Sequence, residues 1–247
     1  MYAITGATGN TGRVVATTLL KKKQIVRVIG RNEERLATLS SQGADPFSAD
    51  LTDADALTRA FAGAKAVYAM IPPDMNRPDF RTFQEEVSEA IVAAIKRAQV
   101  EYVVVLSSIG ADKPNKTGPV VGLRNFEQKL NGIPGVNVLA LRAGYFMENT
   151  LPQIQIIKER GTTLGALRPD LKLPMIATRD IGAVAGDALG SLNFRGKQIR
   201  ELLGQRDLSM PAATEIIGKA IGKPDQLCGH FCRAAHNKSV ICTDRLP

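Results

Sequence analysis

Three glycines stand three apart in GATGNTG, Gly6 to Gly12. They directly follow the apolar run Tyr2–Thr5 and directly precede the helical run RVVATTLLKKK. Glycines at that spacing, between a strand and a helix, make a phosphate-binding turn. Gly6 permits the tight exit from the strand, Gly9 lets the backbone approach a pyrophosphate, and Gly12 lets the helix pack on the strand. The helix then presents unpaired amides, from around Asn10 and Thr11, to the phosphate charge. The chemistry this predicts is dinucleotide binding.

The second strand should say which dinucleotide. An NAD site carries Asp or Glu there, accepting from the ribose 2′-hydroxyl. Here IVRVIG ends in Gly30-Arg31-Asn32, and Glu33 and Glu34 come only in the first turn of the next helix. Acids are expected at that position anyway, because they offset the helix dipole. Arg31 is placed to pair with a 2′-phosphate, so NADP(H) is the expected cofactor. After the third run, Asp50 and Leu51 fall at the sheet's carboxyl edge, where an adenine would lie, and Asp53 should cap the next helix.

The elements that must position these residues alternate along the chain. Candidate strands are Tyr2–Thr5, Ile25–Ile29, Asp45–Phe47, Ala64–Ile71, Tyr102–Ser107 and Val136–Leu141. All but the weaker Asp45–Phe47 are nearly continuous apolar runs rich in Val and Ile, as parallel strands buried on both faces require. A helix is predicted over about 78–99, where Phe80, Phe83, Val87, Ile91, Ala94, Ile95 and Ala98 recur at helical spacing. This alternation predicts an α/β fold, a doubly wound parallel sheet of Rossmann type, over residues 1–150. Beyond it the regularity weakens, with helical patterns at Arg179–Leu192 and Met210–Ile221 and a possible strand at Gln198–Leu203. Residues 151–227 read as a small C-terminal lobe whose helix or strand can return to the sheet, and 228–247 as an atypical tail.

The net charge of +8 is spread along the chain, and its densest run, Lys21-Lys22-Lys23, sits at a predicted helix C-terminus. With 5% aromatics and no basic block interleaved with them, direct nucleic-acid binding is not expected. A basic surface still attracts a phosphorylated cofactor. No apolar run approaches the roughly 18 residues of a membrane span. No leader is evident at the amino terminus, so the expected location is the cytoplasm.

Five segments in order, ITGATGNTG, GRN (Gly30–Asn32), ADLTD (Ala49–Asp53), VVLSSIGA (Val104–Ala111) and LRAGYFMEN (Leu141–Asn149), resemble the NmrA-like branch of the atypical short-chain dehydrogenase/reductase superfamily. The resemblance runs from residue 1 to about 226. It implies an NADP(H)-binding Rossmann domain with a small substrate lobe over the nicotinamide. Carried over, Gly6, Thr8, Gly9, Asn10, Thr11, Gly12, Arg31, Asp50 and Leu51 hold the adenine and phosphate half. Met70, Ile71, Pro72 and Ser107 line the path to the nicotinamide; Gly144, Tyr145, Phe146 and Asn149 sit near it and the substrate entrance. Such proteins divide into reductases of quinones or similar acceptors and non-catalytic sensors of the cofactor's redox state.

Short-chain dehydrogenases usually carry Tyr-x-x-x-Lys, whose lysine lowers the tyrosine pKa for proton transfer to a carbonyl. Four residues after Tyr2, Tyr68, Tyr102 and Tyr145 come Gly6, Pro72, Leu106 and Asn149, so that motif is absent. A quinone-like or other electrophilic acceptor demands less, because hydride delivery to it relies mostly on orientation. Tyr145 is the tyrosine to nominate as proton donor, with aromatic packing at a strand end as its alternative. Ser107 and Ser108 are candidates to orient an acceptor oxygen. The expected activity is therefore NAD(P)H-dependent reduction of a small molecule. The alternative is an NADP(H) sensor that acts through a regulatory protein partner.

The tail breaks the composition. All three cysteines (Cys228, Cys232, Cys242) and both histidines (His230, His236) fall between residues 228 and 247. Cys228, Cys232, His236 and Cys242 offer four zinc-type ligands, but at spacings unlike the common zinc modules, so no metal is expected. An ordinary divergent terminus, or a replaced one from a frame shift or alternative splicing, is the plainer reading. A disulfide is not expected in a cytosolic protein.

Overall fold

The computed structural model describes residues 1–74, 77–161, 163–165, 167–223, 231–234 and 240–242. Its contacts divide into two compact units, Met1–Ala143 with Thr178–Leu202, and Gly144–Ala177 with Leu203–Pro247. Thr178–Leu202 thus belongs to the first unit.

The first unit alternates strand and helix. In chain order come β1 (Tyr2–Ile4), α1 (Asn10–Lys21), β2 (Val26–Gly30), α2 (Glu33–Ser40), β3 (Asp45–Ser48), α3 (Ala54–Phe61) and β4 (Ala66–Ala69). There follow α4 (Phe80–Arg97), β5 (Tyr102–Ser108), α5 (Val120–Asn131) and β6 (Asn137–Ala143). Next in the chain, in the second unit, are β7 (Tyr145–Phe146), a 3-10 helix (Met147–Gln153), α6 (Ile154–Arg160), β8 (Thr163–Gly165) and β9 (Leu173–Ile176). Then α7 (Thr178–Ser191) and β10 (Lys197–Leu202) complete the first unit. Strand β11 (Asp207–Leu208), α8 (Met210–Ala220), β12 (Phe231–Ala234) and β13 (Val240–Cys242) belong to the second.

Seven strands form one sheet in the order β10-β6-β5-β4-β1-β2-β3, every pair parallel. The order reverses beside β1: the chain winds outward through β2 and β3, then crosses back to β4. In doubly wound sheets a ligand crevice opens outside the strand carboxyl ends at such a reversal. Helices α3, α4 and α5 pack in one layer, and α1 packs on α7 in another. The central strands β1, β4 and β5 are buried almost throughout, as their unbroken apolar sequences require. The α3–α5 face encloses the larger core, with Phe61, Val67, Val87, Ile91, Ile95, Val103 and Phe126 fully buried.

Side chains cap four of these helices, and Asp53 takes the cap position expected of it. Asn32 caps α2 by accepting from the Arg35 amide at 3.0 Å, and Asp53 caps α3 by accepting from Asp55 and Ala56. Asp79 does the same for α4, and Ser209 for α8. Helix α1, like α5 and α6, has no side-chain cap and no acid in its first turn; its cap is Gly9.

In the second unit, β7 and β11 flank β9, parallel and antiparallel respectively, and β12 lies between β8 and β13. A small core of Met175, Met210 and Ala213 is joined by Tyr145, Leu167 and Leu208. Of the tail residues singled out above, Cys228, His230 and His236 lie outside the described residues; the backbones of Cys232 and Cys242 pair across β12 and β13. Among the described residues no helix is long and apolar enough to cross a membrane.

Candidate functional site at the carboxyl edge of the large sheet

The glycine loop is built for close approach of backbone to backbone. Gly6 adopts φ +60°, and a Cβ there would lie 2.7 Å from Met70 Sδ. A Cβ on Gly12 would lie 2.3 Å from the Gly6 carbonyl oxygen, so no other residue lets the first turn of α1 sit on this loop. Gly9 donates its amide to that same carbonyl at 2.9 Å. Thr8, Gly9 and Asn10 are exposed at the tip, whereas Thr11 is buried and receives a hydrogen bond from Tyr68 Oη at 3.0 Å. An uncapped helix end, with its positive dipole character and orphan first-turn amides, can receive an anion.

The strand ends on either side are tied to this loop. Thr5 Oγ1 donates to the Tyr68 carbonyl and accepts from the Met70 amide, which locks the end of β1 to the end of β4. Met70 is half-buried, Ile71 buried and Pro72 half-buried just beyond β4. Tyr68 is fully buried, and burial pushes its phenol far above the ordinary tyrosine value, which makes it a structural hydroxyl.

Arg31 is exposed after β2 and makes no ion pair among the described residues. Asp50 lies beyond β3, with Oδ1 accepting from the Thr52 amide at 2.9 Å and the Thr52 hydroxyl at 2.8 Å. Desolvation pushes its carboxyl up, but the Thr52 hydrogen bonds and the charges of Arg31 and Arg77 outweigh that, and the net direction is down. Asp50 therefore stays an anionic acceptor, and Leu51 beside it is buried. The influence of Arg77 was not read from the sequence; its guanidinium lies 5.2 Å from the Phe83 ring centroid.

Ser107 departs from the role expected of it. Its hydroxyl donates to Glu127 Oε1 on α5. Glu127 is held from the other side by Arg142, with Nε 3.1 Å from Oε1 and Nη2 2.7 Å from Oε2. Ser107 and Arg142 are register partners on β5 and β6, and Ser107 and Glu127 are 3% and 4% exposed. The Arg142 fork donates to both oxygens of Glu127, and the Ser107 hydroxyl donates to the same carboxylate, so the serine proton is directed into that pair. Ser108 likewise donates to a carbonyl, that of Ile109. With both hydroxyl protons engaged, neither serine offers one to an acceptor oxygen.

Gly144, Tyr145 and Phe146 belong to the second unit, where Tyr145 and Phe146 pair with Met175 and Ile176. A Cβ on Gly144 would lie 2.3 Å from the Pro174 carbonyl, so this glycine serves a backbone crossing. Tyr145 is half-buried and burial raises its phenol, while Asn149 is exposed on the 3-10 helix.

Several known proteins resemble this chain. Over 224 residues the chain is 29% identical to a (4-alkanoyl-5-oxo-2,5-dihydrofuran-3-yl)methyl phosphate reductase of Streptomyces griseus, covering 91% of this chain and 75% of the relative. It is 28% identical over 228 residues to an NAD(P)H azoreductase of Xenophilus azovorans, with the same coverage. The crystal structure of an NADPH-dependent quinone oxidoreductase from Escherichia coli, complexed with NADPH, superposes with a TM-score of 0.78. It is 25% identical and covers 95% of this chain and 78% of that one. The sequence profile of the NmrA-like family matches residues 2–226, and the chain belongs to that family.

Proposed function

We propose that this protein binds NADP(H) across the carboxyl edge of its large sheet and reduces a quinone-like or other electrophilic small molecule. The observation that carries the reading is the α1 terminus: an uncapped helix end, without acid, on a loop whose glycines leave no room for a side chain. Those features suit a pyrophosphate. Arg31, in the place of the carboxylate that an NAD site would use, suits a 2′-phosphate. Thr8, Gly9, Asn10 and Thr11 hold the phosphates, and Asp50 and Leu51 the adenine. Met70, Ile71, Pro72 and Ser107 face the nicotinamide half. Gly144, Tyr145 and Phe146 keep the assignment that the family resemblance gives them. NADPH, when bound, supplies the hydride.

The relatives are in keeping with this reading, since one is named for azo reduction and one for quinone reduction. So is the residue chemistry. An acceptor whose reduced anion is stabilised by conjugation needs orientation more than a strong acid, and this chain lacks the Tyr-x-x-x-Lys pair.

One observation favours a second reading. With the protons of Ser107 and Ser108 engaged, the described residues of the first unit place no hydroxyl donor at the end of β5. A cofactor sensor without turnover, acting through a protein partner, has no need of one. Titration with NADPH and NADH, followed by addition of menadione with absorbance read at the nicotinamide band, separates the two. Tight NADPH binding with steady oxidation supports the reductase. Tight binding with no oxidation of NADPH by menadione or an azo dye overturns it in favour of the sensor.

A further inference from the structure

A buried serine that has given its proton to a carboxylate can meet a ligand in only one way, by accepting. We propose that Ser107 binds by accepting a hydrogen bond from the carboxamide N–H of the nicotinamide, with Glu127 and Arg142 as positioning residues that fix its proton. The proposal rests on the NADP(H) reading above and goes beyond it by assigning the direction of one hydrogen bond.

The placement follows from the sheet. The order reverses between β1 and β4, so the two nucleotide halves lie on either side of it: one over β1, β2 and β3, the other over β4, β5 and β6. Arg31 and Asp50 belong to the first half. Ser107 lies at the carboxyl end of β5, the middle strand of the second half, where the nicotinamide belongs.

The direction follows from the hydrogen bonds. Arg142 engages both oxygens of Glu127, and Ser107 completes the set on Oε1. The serine hydroxyl therefore cannot turn outward without leaving a buried carboxylate short of a donor, a costly state. A quinone-like acceptor presents carbonyl oxygens, which an acceptor-only serine cannot hold. The nicotinamide carboxamide presents an N–H as well as an oxygen, and a serine oxygen polarised by a carboxylate accepts it well. Ser107 thereby helps fix which face of the ring is offered for hydride transfer, and it donates no proton in the reaction.

The test compares NADP⁺ with its 3-acetylpyridine analogue, which carries a methyl group in place of the amide nitrogen. Binding to the full chain is titrated for wild type, Ser107→Ala and the double variant Glu127→Leu/Arg142→Met. Wild type should prefer NADP⁺ by about tenfold, the scale of one hydrogen bond to a polarised group. In Ser107→Ala, which leaves the Glu127–Arg142 pair intact, that preference should collapse to near one while the analogue binds as before. The double variant replaces the ion pair with apolar groups and frees the serine proton to serve the carbonyl that both ligands share. It should lose the preference too, whereas a merely structural pair would weaken both ligands alike. A preference that persists in Ser107→Ala, or its absence from wild type, overturns this proposal and leaves the NADP(H) reading standing. Failure of wild type to bind either dinucleotide overturns both.

Discussion

Tyr68 Oη donates to Thr11 Oγ1 at 3.0 Å, joining the middle of the sheet to the first turn of α1. Both residues are buried, so the bond is sheltered from water, and it pins the helix end proposed above to hold the pyrophosphate.

Tyr68→Phe keeps the ring and removes only that bond, leaving Thr11 Oγ1 without its donor. The loss of stability should be about 1 kcal/mol, the usual worth of a buried neutral hydrogen bond. NADPH affinity should fall by a few-fold as the helix end loosens. The same residue sets an alkaline limit. Its folded pKa is raised, so the stability it contributes is whole below about pH 10, the ordinary tyrosine value. It is lost as pH rises further, because the unfolded chain ionises first. Urea midpoints between pH 8 and 11 should drop more steeply in wild type than in Tyr68→Phe; parallel curves would exclude Tyr68 as the cause.

Gly12→Ala tests the loop directly. The added carbon would sit 2.3 Å from a backbone oxygen, which cannot move aside as a flexible side-chain tip can. Overpacking of this kind costs about 1–3 kcal/mol, and the displaced helix end should abolish dinucleotide binding. Gly9→Ala, whose carbon would meet the same oxygen at 3.2 Å, should be milder in both respects. Calorimetric titration of the two variants with NADPH checks the ranking, and equal losses would contradict it.

Arg31→Ala should weaken NADPH about ten- to a hundredfold, the scale of a charge-assisted contact. NADH, lacking the 2′-phosphate, should bind about as before. Since Arg31 also helps hold the Asp50 carboxyl below its usual range, the variant should let Asp50 titrate at a higher pH. Equal losses for both cofactors would remove Arg31 from the 2′-phosphate.

The sequence carried the middle of the large sheet because strands such as β1, β4 and β5 are buried on both faces. Runs such as Tyr102–Ser108 are continuous and apolar enough to read singly, and Asn32, Asp53 and Asp79 mark helix starts by local chemistry alone. The short strands of the second unit carry no such signal. Leu173–Ile176 contains Pro174 and is a strand because Tyr145–Phe146 and Asp207–Leu208 pair with it from distant parts of the chain. The glycine loop was legible in the same way as the helix starts, being local in sequence. The fate of the Ser107 proton was not, because it depends on Glu127 and Arg142, 20 and 35 positions further on. A lone glutamate beside Phe126 on the buried face of α5 was the available signal, and it names no partner.

Tyr145 is the remaining candidate for a proton donor, and its surroundings argue for packing. Its ring joins the core of Met175, Met210 and Ala213, and burial keeps the phenol protonated beyond the ordinary tyrosine range. A hydroquinone anion leaves the nicotinamide already stabilised by conjugation, so water can supply its proton. Tyr145→Phe should therefore lower kcat with menadione by less than about tenfold, short of the ~10²-fold or more that general acid catalysis contributes. The rate should also run flat across neutral pH, since a phenol held above its ordinary value changes charge only in strong alkali. A hundredfold loss in kcat with unchanged NADPH affinity would instead make Tyr145 the acid of the reaction. Its raised pKa would then explain an activity that persists to about pH 10 and declines above it.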